Sequence, residues 1–566
     1  MTGLLDRLAL LESVRTSVGH RQNVAAVCQE LVEAVVPAFA DTTDVEVLDD
    51  VVRGEEPPTV PLARDVPLRR AALRGRLRAQ VGDVHPLPAG TPFSDVLSDL
   101  RPRLVPLAAD GPWPATDPAR GEAVRRSGAH SLIVAPLVLG EQALGVVSFY
   151  RHPRQEPFER DDVAVASAIC AHAALCINNA RQYMREWIIA STVQRRLLPR
   201  HPAQRPTVEL APLHLPDQEG GGAWYDAIAL PGARTVLVVG DVAGRGIAAA
   251  TTMGLLRTAL HTLAALDLQP DELMARLNDT ATRLATERAA LPASDPLHGE
   301  PFTAGCAVAV YDPVDLTCTV ARAGLPAPVA ALPDGTSAPL PVPPGPPLGA
   351  TGTAPFPATT VGLPEGTTLA MGTHALADEV LAPAAPLRPL LDGAGTKPLP
   401  DVRDSLAVAL TRGHRAGERL MLLARTKALP TGQVLTRTLP AGPEAAPVAR
   451  QAVRRRLKDW EVDDETAYTT ELIVSELVGN AVRHGAPPVQ LRLIHDRTLT
   501  CEVGDAAASA PRVKHARTVD ENGRGLFIVA NLADQWGTRY RTRGKTVWAQ
   551  QAAPTPATPG AAGRQE

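Results

Sequence analysis

Near the C-terminus, polar and apolar positions recur with the period of an α-helix. Glu476, Asn480 and His484 are each four residues apart, so on a helix they form one polar ridge. The intervening apolar residues, which can face a core, are Leu477, Val478, Ala481 and Val482. The pattern predicts a helix over residues 464–484 with one buried and one polar face.

The apolar pattern around this helix predicts a layer of helices on a mixed sheet. Apolar runs predict strands at 434–439, 489–495, 498–503, 536–541 and 546–551, and helices at 445–460 and 525–532. Residues 506–522 are rich in small side chains and are predicted to form a mobile nucleotide lid. A pocket is therefore expected between the lid and the polar ridge.

The polar residues at this predicted pocket suit a magnesium-bound nucleotide. The amide oxygen of Asn480 can ligate a hard cation, and the carboxylate of Glu476 can position or deprotonate a nucleophile. Asp505 ends an apolar run and can accept a hydrogen bond from an amine such as that of adenine. Gly523 and Gly525 flank a helix start, where backbone N–H groups can bind phosphates.

In order and spacing this set resembles the GHKL ATP-binding fold and, within it, the anti-sigma-factor serine kinases. The segments 536–537 (WG) and 544–548 (GKTVW) are similar to those of actinobacterial versions. The resemblance implies that Asn480 ligates Mg²⁺ and that Glu476 is the general base toward a substrate serine. The ATP-binding residues that it implies are Asn480, His484, Asp505, Gly523, Arg524, Gly525, Lys545 and Thr546. Residues 506–508 (AAA) depart from the glycines of broader GHKL members, although the anti-sigma kinase branch is itself glycine-poor there.

Four landmarks define a second domain of about 230 residues. They are 221–226 (GGAWYD), 238–246 (VVGDVAGRG), 323–326 (AGLP) and 343–349 (PPGPPLG). In this order they resemble SpoIIE-type members of the PPM metal-dependent serine/threonine phosphatases. The resemblance implies a β-sandwich flanked by helices, with two Mn²⁺ or Mg²⁺ ions that lower the pKa of an attacking water.

The acids that hold the two ions in that family are mostly replaced in this chain. The first position is Ala223, the third is Thr373, and the fourth reads Gly417-Glu418 before the last strand, so three of the four acids are absent. Asp241 remains from the second motif, but Arg245 replaces its usual histidine. Because two dications in one pocket repel strongly, we expect a catalytically impaired pseudophosphatase.

An alternative reading keeps a residual metal site in this domain. Asp241 and the following Val242 would form it, and Asp226, Glu418 or Asp378 could complete it through a shifted geometry. Nothing in the spacing requires that shift.

The N-terminal 160 residues read as one α+β unit. The pattern predicts a helix at 24–39 and a hairpin at 131–150 with its turn at Gly140-Glu141, followed by a long helix that starts near 158–162. The final fifty residues resemble a GAF sensor domain. No cysteine or histidine constellation for a haem or bilin is evident, so the sensor ligand stays open.

A heptad seam runs through the long helix at 162–197. Its positions, which alternate spacings of four and three, are Ala166, Cys170, Ala173, Ile177, Ala180, Met184, Trp187 and Ser191. The seam predicts either a parallel coiled coil that pairs two chains or, in its first half, packing on the sensor's own sheet. We expect a homodimer through the second half.

Composition narrows the class of protein. The 566 residues carry a net charge of −4 without a strongly basic block, which argues against a nucleic-acid partner. Six scattered cysteines favour a reducing compartment, and neither a signal peptide nor a membrane-spanning run is predicted, so a cytoplasmic protein without a membrane partner is expected. The proline-rich tail at 552–566 is predicted to be disordered.

The expected fold class is therefore α+β multidomain. Its parts are a GAF-like domain (1–160), a signalling helix (161–198), a PPM-type β-sandwich (199–426), a linker (427–434) and a GHKL α/β sandwich (435–551). The expected function is a sensor-coupled, ATP- and Mg-dependent protein-serine kinase that phosphorylates an anti-sigma-factor antagonist or a similar protein. The alternatives are an active phosphatase on that phosphorylated antagonist, and a non-catalytic ATP-gated module that sequesters a sigma factor or antagonist.

Overall fold

The computed structural model describes residues 2–59, 66–107, 113–153, 155–199, 206–217, 220–295, 298, 302–350, 355–413, 417–507, 525–541 and 544–552. The chain divides into two compact units, Met1–Ile189 and Ala190–Glu566. All sheets described below are antiparallel.

The first unit is an antiparallel sheet in the order β3-β2-β1-β6-β5-β4, with helices packed against it. Its elements are α1 (Thr2–Ser17), α2 (Val24–Val35), β1 (Thr42–Leu48), α3 (Asp49–Val52), β2 (Pro67–Arg74), β3 (Val84–Pro86), α4 (Pro92–Asp99), β4 (Arg103–Pro106), α5 (Trp113–Thr116), α6 (Pro118–Ser127), β5 (Ser131–Leu139), β6 (Gln142–Arg151) and α7 (Arg160–Leu197). The predicted hairpin at 131–150 is confirmed, with Gly140 in the left-handed region at φ 60°. The helix predicted at 24–39 starts as expected, because the Asn23 side chain caps it, but it ends at Val35.

Helix α7 resolves the two readings of the heptad seam for its first half. The seam positions from Ala166 to Ala180 are buried in the core of the first unit. That half therefore packs on the sensor's own sheet. Farther along, Tyr183, Ile188 and Ile189 are 52%, 39% and 42% exposed, so a partner helix stays a prediction for this part alone.

One expectation about α7 is wrong. Among the described residues, α7 is long and apolar enough to pass for a membrane span by length and composition, although no such run was predicted. Half of its most apolar window is buried inside the protein, as in the core helix of a globular domain.

The second unit begins with a sandwich of two sheets, in the orders β14-β11-β10-β9-β8 and β13-β12-β15-β16-β7. Its elements are β7 (Val208–Leu215), β8 (Gly222–Ala229), β9 (Thr235–Val242), α8 (Gly246–Ala264), α9 (Pro270–Ala289), β10 (Ala304–Asp312), β11 (Thr317–Ala323), β12 (Val329–Ala331), β13 (Ser337–Pro339), β14 (Thr359–Gly362), β15 (Thr368–Gly372), α10 (Leu399–Arg412) and β16 (Arg419–Thr426). Alternate residues of β9 face opposite layers: Leu237 and Val239 lie between the sheets, whereas Val236 and Val238 pack under α8 and α9. Helix α10 covers the second sheet, so the predicted β-sandwich flanked by helices is confirmed.

The same unit ends with a sheet in the order β17-β18-β19-β21-β20, which carries helices on one face. Its elements are β17 (Val434–Leu439), α11 (Ala445–Asp459), α12 (Asp464–His484), β18 (Val489–His495), β19 (Thr498–Asp505), α13 (Gly525–Leu532), β20 (Gln535–Tyr540) and β21 (Lys545–Ala552). Every predicted element here is confirmed to within two residues at its ends, but the predicted mixed sheet is wrong, because all the described strand pairs of this sheet are antiparallel. The lid predicted at 506–522 lies outside the described residues except for Ala506 and Ala507, and so does the tail beyond Ala552.

A close approach inside the sandwich generates a stability prediction. Gly240 on β9 pairs with Trp224 on β8, and a Cβ at position 240 would overlap the buried indole ring. Because Trp224 is fully buried and rigid, we expect Gly240→Ala to lower the free energy of unfolding by about 1–3 kcal/mol, measured by urea titration. Gly362→Ala on β14 is the matched control, since nothing lies within 4 Å of a Cβ there. Equal effects of the two substitutions would contradict this packing argument.

Candidate functional site

Helix α12 presents the predicted polar ridge. The Asp463 side chain caps its start by accepting from the Thr466 N–H at 2.9 Å. Leu477, Val478 and Ala481 are buried against the sheet, which turns the opposite face toward the pocket. On that face Glu476 and Asn480 are half-buried and His484 is exposed.

The start of α13 approaches this ridge closely. A Cβ at Gly525 would lie 2.6 Å from Glu476 Oε2 and 3.2 Å from Asn480 Nδ2, so a side chain there would have to displace these two polar groups. Asn480 Oδ1 accepts from Arg483 at 3.2 Å, while its buried Nδ2 lacks a partner among the described residues. A buried polar atom without a partner is costly, which is typical of a site that binds a ligand.

Asp505 lies at the end of β19, at the other side of the pocket. Its Oδ1 accepts from Lys545 Nζ at 3.0 Å and from the Ala507 N–H at 2.8 Å. Gly485, at the end of α12, is in close contact, because a Cβ there would lie 2.6 Å from Asp505 Cγ. Asp505 and Lys545 are 7% and 6% exposed, so this ion pair is protected from solvent.

The remaining residues of the predicted nucleotide site divide into two groups. Thr546 is buried on β21 and pairs with Gly504 and Arg539 across the sheet, so its side chain lies on the face opposite to that of Asp505. Gly523 and Arg524 lie outside the described residues. The motif pattern singled out neither Gly485 nor Gly504, although a glycine at a helix end is a recognisable signal.

This arrangement fits ATP with magnesium. Asn480 and Glu476 are adjacent to the glycine start of a helix, where phosphate oxygens are favoured. The Oδ1 atom of Asp505 accepts hydrogen bonds from Ala507 and Lys545. Its Oδ2 atom can accept from a further donor, such as an exocyclic amine. The pocket thus offers a cation ligand, a base and an acceptor in one place.

The centre of the sandwich brings together two of the expected acids. Asp241 at the end of β9 pairs with Ala223 of β8 and shares its face. Burial, followed by the nearby Glu418 carboxylate, raises the pKa of the half-buried Asp241 from its ordinary 3.8 to about 7. Glu418, the candidate substitute acid, therefore lies near Asp241.

Glu418 is occupied by hydrogen bonds from the protein itself. Its Oε1 accepts from Gln194 Nε2 and from His214 Nε2, both at 2.6 Å, and its Oε2 accepts from the Ala223 N–H at 2.9 Å. A Cβ at Gly221 would overlap this carboxylate. Gln194, from the last turn of α7, also donates to the Ala223 carbonyl at 2.9 Å. Motif reasoning did not single out Gln194 or His214, because neither belongs to the family pattern.

The other acids proposed for this centre lie elsewhere. Asp226 faces the opposite side of β8, where His261 Nε2 donates to it at 2.6 Å and Arg257 pairs with it. Asp378 is exposed in a short helical turn after β15. At the third position the buried Thr373 accepts from the Leu420 N–H at 3.2 Å.

The residues present do not fit a pair of metal ions. Val242, expected beside Asp241 in a residual site, is the last residue of β9 and is buried. In the described part of the chain, no group of three or more His, Cys, Asp or Glu side chains is arranged to hold a metal. Because the Glu418 oxygens already accept three hydrogen bonds, Asp241 is the one carboxylate left for a cation.

The first unit contains a third polar cluster, on the sheet face covered by α4 and α6. Glu46 accepts from Arg70 at 2.9 Å and from Arg120 at 2.8 Å, and Asp44 accepts from Arg70 at 3.0 Å. Burial opposes ionisation of Glu46, but Arg120 and then His85 and Arg70 lower its pKa to about 2. The described residues offer no haem- or bilin-type ligand set there, and the sensor ligand stays open.

Comparisons with known proteins agree with the three-part architecture. A family model for the GAF domain matches residues 25–177, one for stage II sporulation protein E (SpoIIE) matches 231–418, and one for the histidine kinase-like ATPase domain matches 439–551.

Solved structures with similar parts include three bacterial proteins. The RsbU and RsbW domains of Rv1364c from Mycobacterium tuberculosis match at 26% identity over 62% of this chain and 94% of that chain, with a TM-score of 0.33. The SiaA-PP2C domain of Pseudomonas aeruginosa matches at 18% identity over 42% and 94%, with a TM-score of 0.34. A SpoIIE fragment from Bacillus subtilis matches at 15% identity over 39% and 64%, with a TM-score of 0.29.

In chain order, the family matches fall on the first sheet, on the two-sheet sandwich and on the last sheet, each with its helices. The chain is therefore a multidomain protein that joins a GAF domain, a SpoIIE-family domain of the PPM phosphatase class and a histidine kinase-like ATPase domain.

Proposed function

We propose that the C-terminal domain is an ATP-dependent protein-serine kinase within a sensor-coupled partner-switching regulator. The observation that carries this proposal is the contact between the glycine start of α13 and the Glu476–Asn480 ridge, with Asn480 Nδ2 buried and unpartnered among the described residues. A glycine, a carboxylate and a carboxamide at one point suit a triphosphate with its cation.

In this mechanism the residues of the protein act mainly by positioning the nucleotide and the substrate serine. Asp505 Oδ2 accepts from the adenine amine, and Lys545 donates to Oδ1 and so keeps the carboxylate oriented. Asn480 would ligate Mg²⁺, which when bound neutralises phosphate charge. Glu476 then accepts the proton of the substrate serine hydroxyl as that oxygen attacks the terminal phosphorus of ATP, and the bond from that phosphorus to the bridging oxygen breaks to release ADP. His484, Gly523, Arg524 and Thr546 complete the proposed ATP-binding set on the grounds of sequence alone.

The substrate that we propose is an anti-sigma-factor antagonist or a similar protein, with a sigma factor as a further partner. We propose that the protein is located in the cytoplasm, which agrees with its six cysteines being free thiols. The exposed stretch of α7 around Ile188 and Ile189 supports homodimer formation through that part of the helix.

We propose that the SpoIIE-family domain is impaired as a phosphatase and serves as a relay or docking part. Asp241 and Glu418 are the two carboxylates that lie close together at its described centre. Glu418 already accepts hydrogen bonds from Gln194, His214 and the Ala223 N–H, which reduces its capacity to bind a cation. An active phosphatase with Mn²⁺ or Mg²⁺ is the second candidate function, and the contact between Asp241 and Glu418 is what favours it. An ATP-gated module that binds a partner without phosphoryl transfer is the third.

The kinase is tested with labelled ATP, Mg²⁺ and a candidate antagonist protein. We expect Glu476→Ala to lower phosphoryl transfer about 100-fold or more while ATP still binds, because a general base is lost. Asn480→Ala should abolish transfer and weaken Mg-dependent ATP binding. Glu465→Ala is the matched control, being an exposed glutamate at the start of the same helix. ATP binding without transfer by the wild type would support the sequestering module instead.

The phosphatase proposal is tested on the full chain with Mn²⁺ and a phosphoserine protein. We expect no release of phosphate above that of buffer, because the residues around Asp241 do not hold two ions. Turnover that disappears in Asp241→Ala but persists in Asp226→Ala would overturn the pseudophosphatase proposal, because Asp226 faces away from the centre.

The raised pKa of Asp241 gives a pH dependence of stability. The folded protein binds a proton at this carboxyl more tightly than the unfolded chain does. The protonated carboxyl therefore adds to the free energy of unfolding below about pH 3.8, and this contribution is lost as the pH rises through about 7. The side chain is half-buried, and solvent screening reduces the effect. We expect Asp241→Asn to raise the free energy of unfolding at pH 8 by roughly 1 kcal/mol and to change little at pH 4. Urea titrations at both pH values measure this, and a loss of stability at pH 8 would contradict it.

A further inference from the structure

Buried ion pairs join the SpoIIE-family domain to the sheet of the ATPase domain. Arg539 on β20 lies at their centre: its Nε is 2.9 Å from Asp267 Oδ2 and its Nη2 is 2.8 Å from Glu502 Oε1. Asp267 follows α8 of the SpoIIE-family domain, whereas Arg539 and Glu502 belong to the ATPase sheet. The three side chains are between 1% and 4% exposed.

The pairing continues in both directions from this centre. Arg234 Nη2 donates to both oxygens of Asp267, at 2.7 and 2.8 Å. On the other side Glu502 lies 4.0 Å from Arg492, which donates to Asp315 at 2.7 Å. We call this series, Arg234–Asp267–Arg539–Glu502–Arg492–Asp315, the ion chain. Its signs alternate, and three separate loops of the SpoIIE-family domain take part.

The backbone is shaped to make these contacts. A Cβ at Gly232 would lie 2.6 Å from Glu502 Oε1, so the turn between β8 and β9 approaches the ATPase sheet as closely as a backbone can. Asp267 has φ 55°, in the left-handed region that costs a non-glycine residue energy. This conformation places its carboxylate between two guanidinium groups.

The physics of buried charge makes the docking geometry specific. Removing one partner from such a series leaves a charge in a dry environment, and that is strongly unfavourable. Burial opposes ionisation of Glu502, but Arg539, Arg234 and Arg492 together lower its pKa. Glu502 therefore stays charged, and its arginine partners on both domains favour one relative position of the two domains.

The ion chain lies directly behind the proposed nucleotide site. Glu502 precedes Asp505 by three residues on β19, and Arg539 pairs across the sheet with Thr546, the neighbour of Lys545. The side chains of Glu502 and Arg539 lie on the face of the sheet that points away from α12. One face of this sheet therefore borders the proposed nucleotide pocket, and the opposite face contacts the SpoIIE-family domain.

We propose that the ion chain is an intramolecular docking surface through which nucleotide binding in the ATPase domain is transmitted to the SpoIIE-family domain. The proposal rests on ATP binding at Asp505. The segments that receive the signal are the β8–β9 turn and the loop between α8 and α9, because these hold Arg234 and Asp267.

Hydrogen–deuterium exchange on the full chain tests this inference, together with calorimetry for ATP. We expect Mg-ATP to slow exchange at residues 230–237 and 263–270 of the wild type about fivefold or more. In Arg539→Met these segments should exchange faster without nucleotide and should lose the response to Mg-ATP, while the heat of ATP binding remains. Asp267→Asn tests the same contact from the other domain and should behave alike.

The matched control is Arg454→Met, which removes an arginine from an exposed 2.6 Å pair with Glu471 on the helix side of the same domain. It should leave exchange at both segments and their response to Mg-ATP as in the wild type. Heat of ATP binding without slower exchange at these segments overturns the proposal and leaves the nucleotide site intact. The absence of any heat with Mg-ATP overturns the proposed function and the transmission with it.

Discussion

The cost of removing charge from water governs all three parts of this chain. In the GAF domain, Glu46 is held between Arg70 and Arg120. In the SpoIIE-family domain, Glu418 accepts three hydrogen bonds where relatives of the PPM class use acids for metal ions. At the junction with the ATPase domain, Asp267 lies between two arginines. Each of these charges is compensated by protein groups, so each also fixes a local geometry.

The same constraint separates the two proposed chemical sites. In the SpoIIE-family centre, the donors to Glu418 replace the role that a cation would play. In the ATPase pocket, by contrast, Asn480 Nδ2 and the glycine start of α13 leave groups for a ligand. In our proposals, the SpoIIE-family centre is closed by its own side chains, whereas the ATPase pocket binds a nucleotide with its metal.

Helix α7 connects the GAF domain in sequence to the surroundings of Glu418 in the SpoIIE-family domain. It runs without a break from Arg160 to Leu197, and Gln194 in its last turn donates to both Glu418 and the Ala223 carbonyl. A shift of this turn changes the surroundings of Glu418 at once. The contact gives physical content to the relay role proposed for the SpoIIE-family domain.

Local patterns predicted the ATPase domain well, because amphipathic periods and caps are short-range properties. The bounds of α12, β18 and α13 follow from periodicity, and the ridge of Glu476 and Asn480 follows from their spacing. The bonds from Gln194 and His214 to Glu418 join residues more than 200 positions apart, so no local pattern contains them. The ion chain was missed for the same reason, because no local pattern in the sequence singles out its arginines.

The way in which Glu418 is held limits how metal chemistry could return to this lineage. An aspartate in place of Ala223 restores one ligand, but its backbone N–H still donates to Glu418, and Gln194 and His214 still occupy the other oxygen. Recovery of metal binding therefore requires both a new acid at position 223 and the loss of the hydrogen bonds that hold Glu418. Neither change alone restores a pair of metal ligands. Under the proposed impairment of the SpoIIE-family domain, this mutual dependence would act as an evolutionary ratchet, because the contacts around Glu418 oppose the return of metal binding.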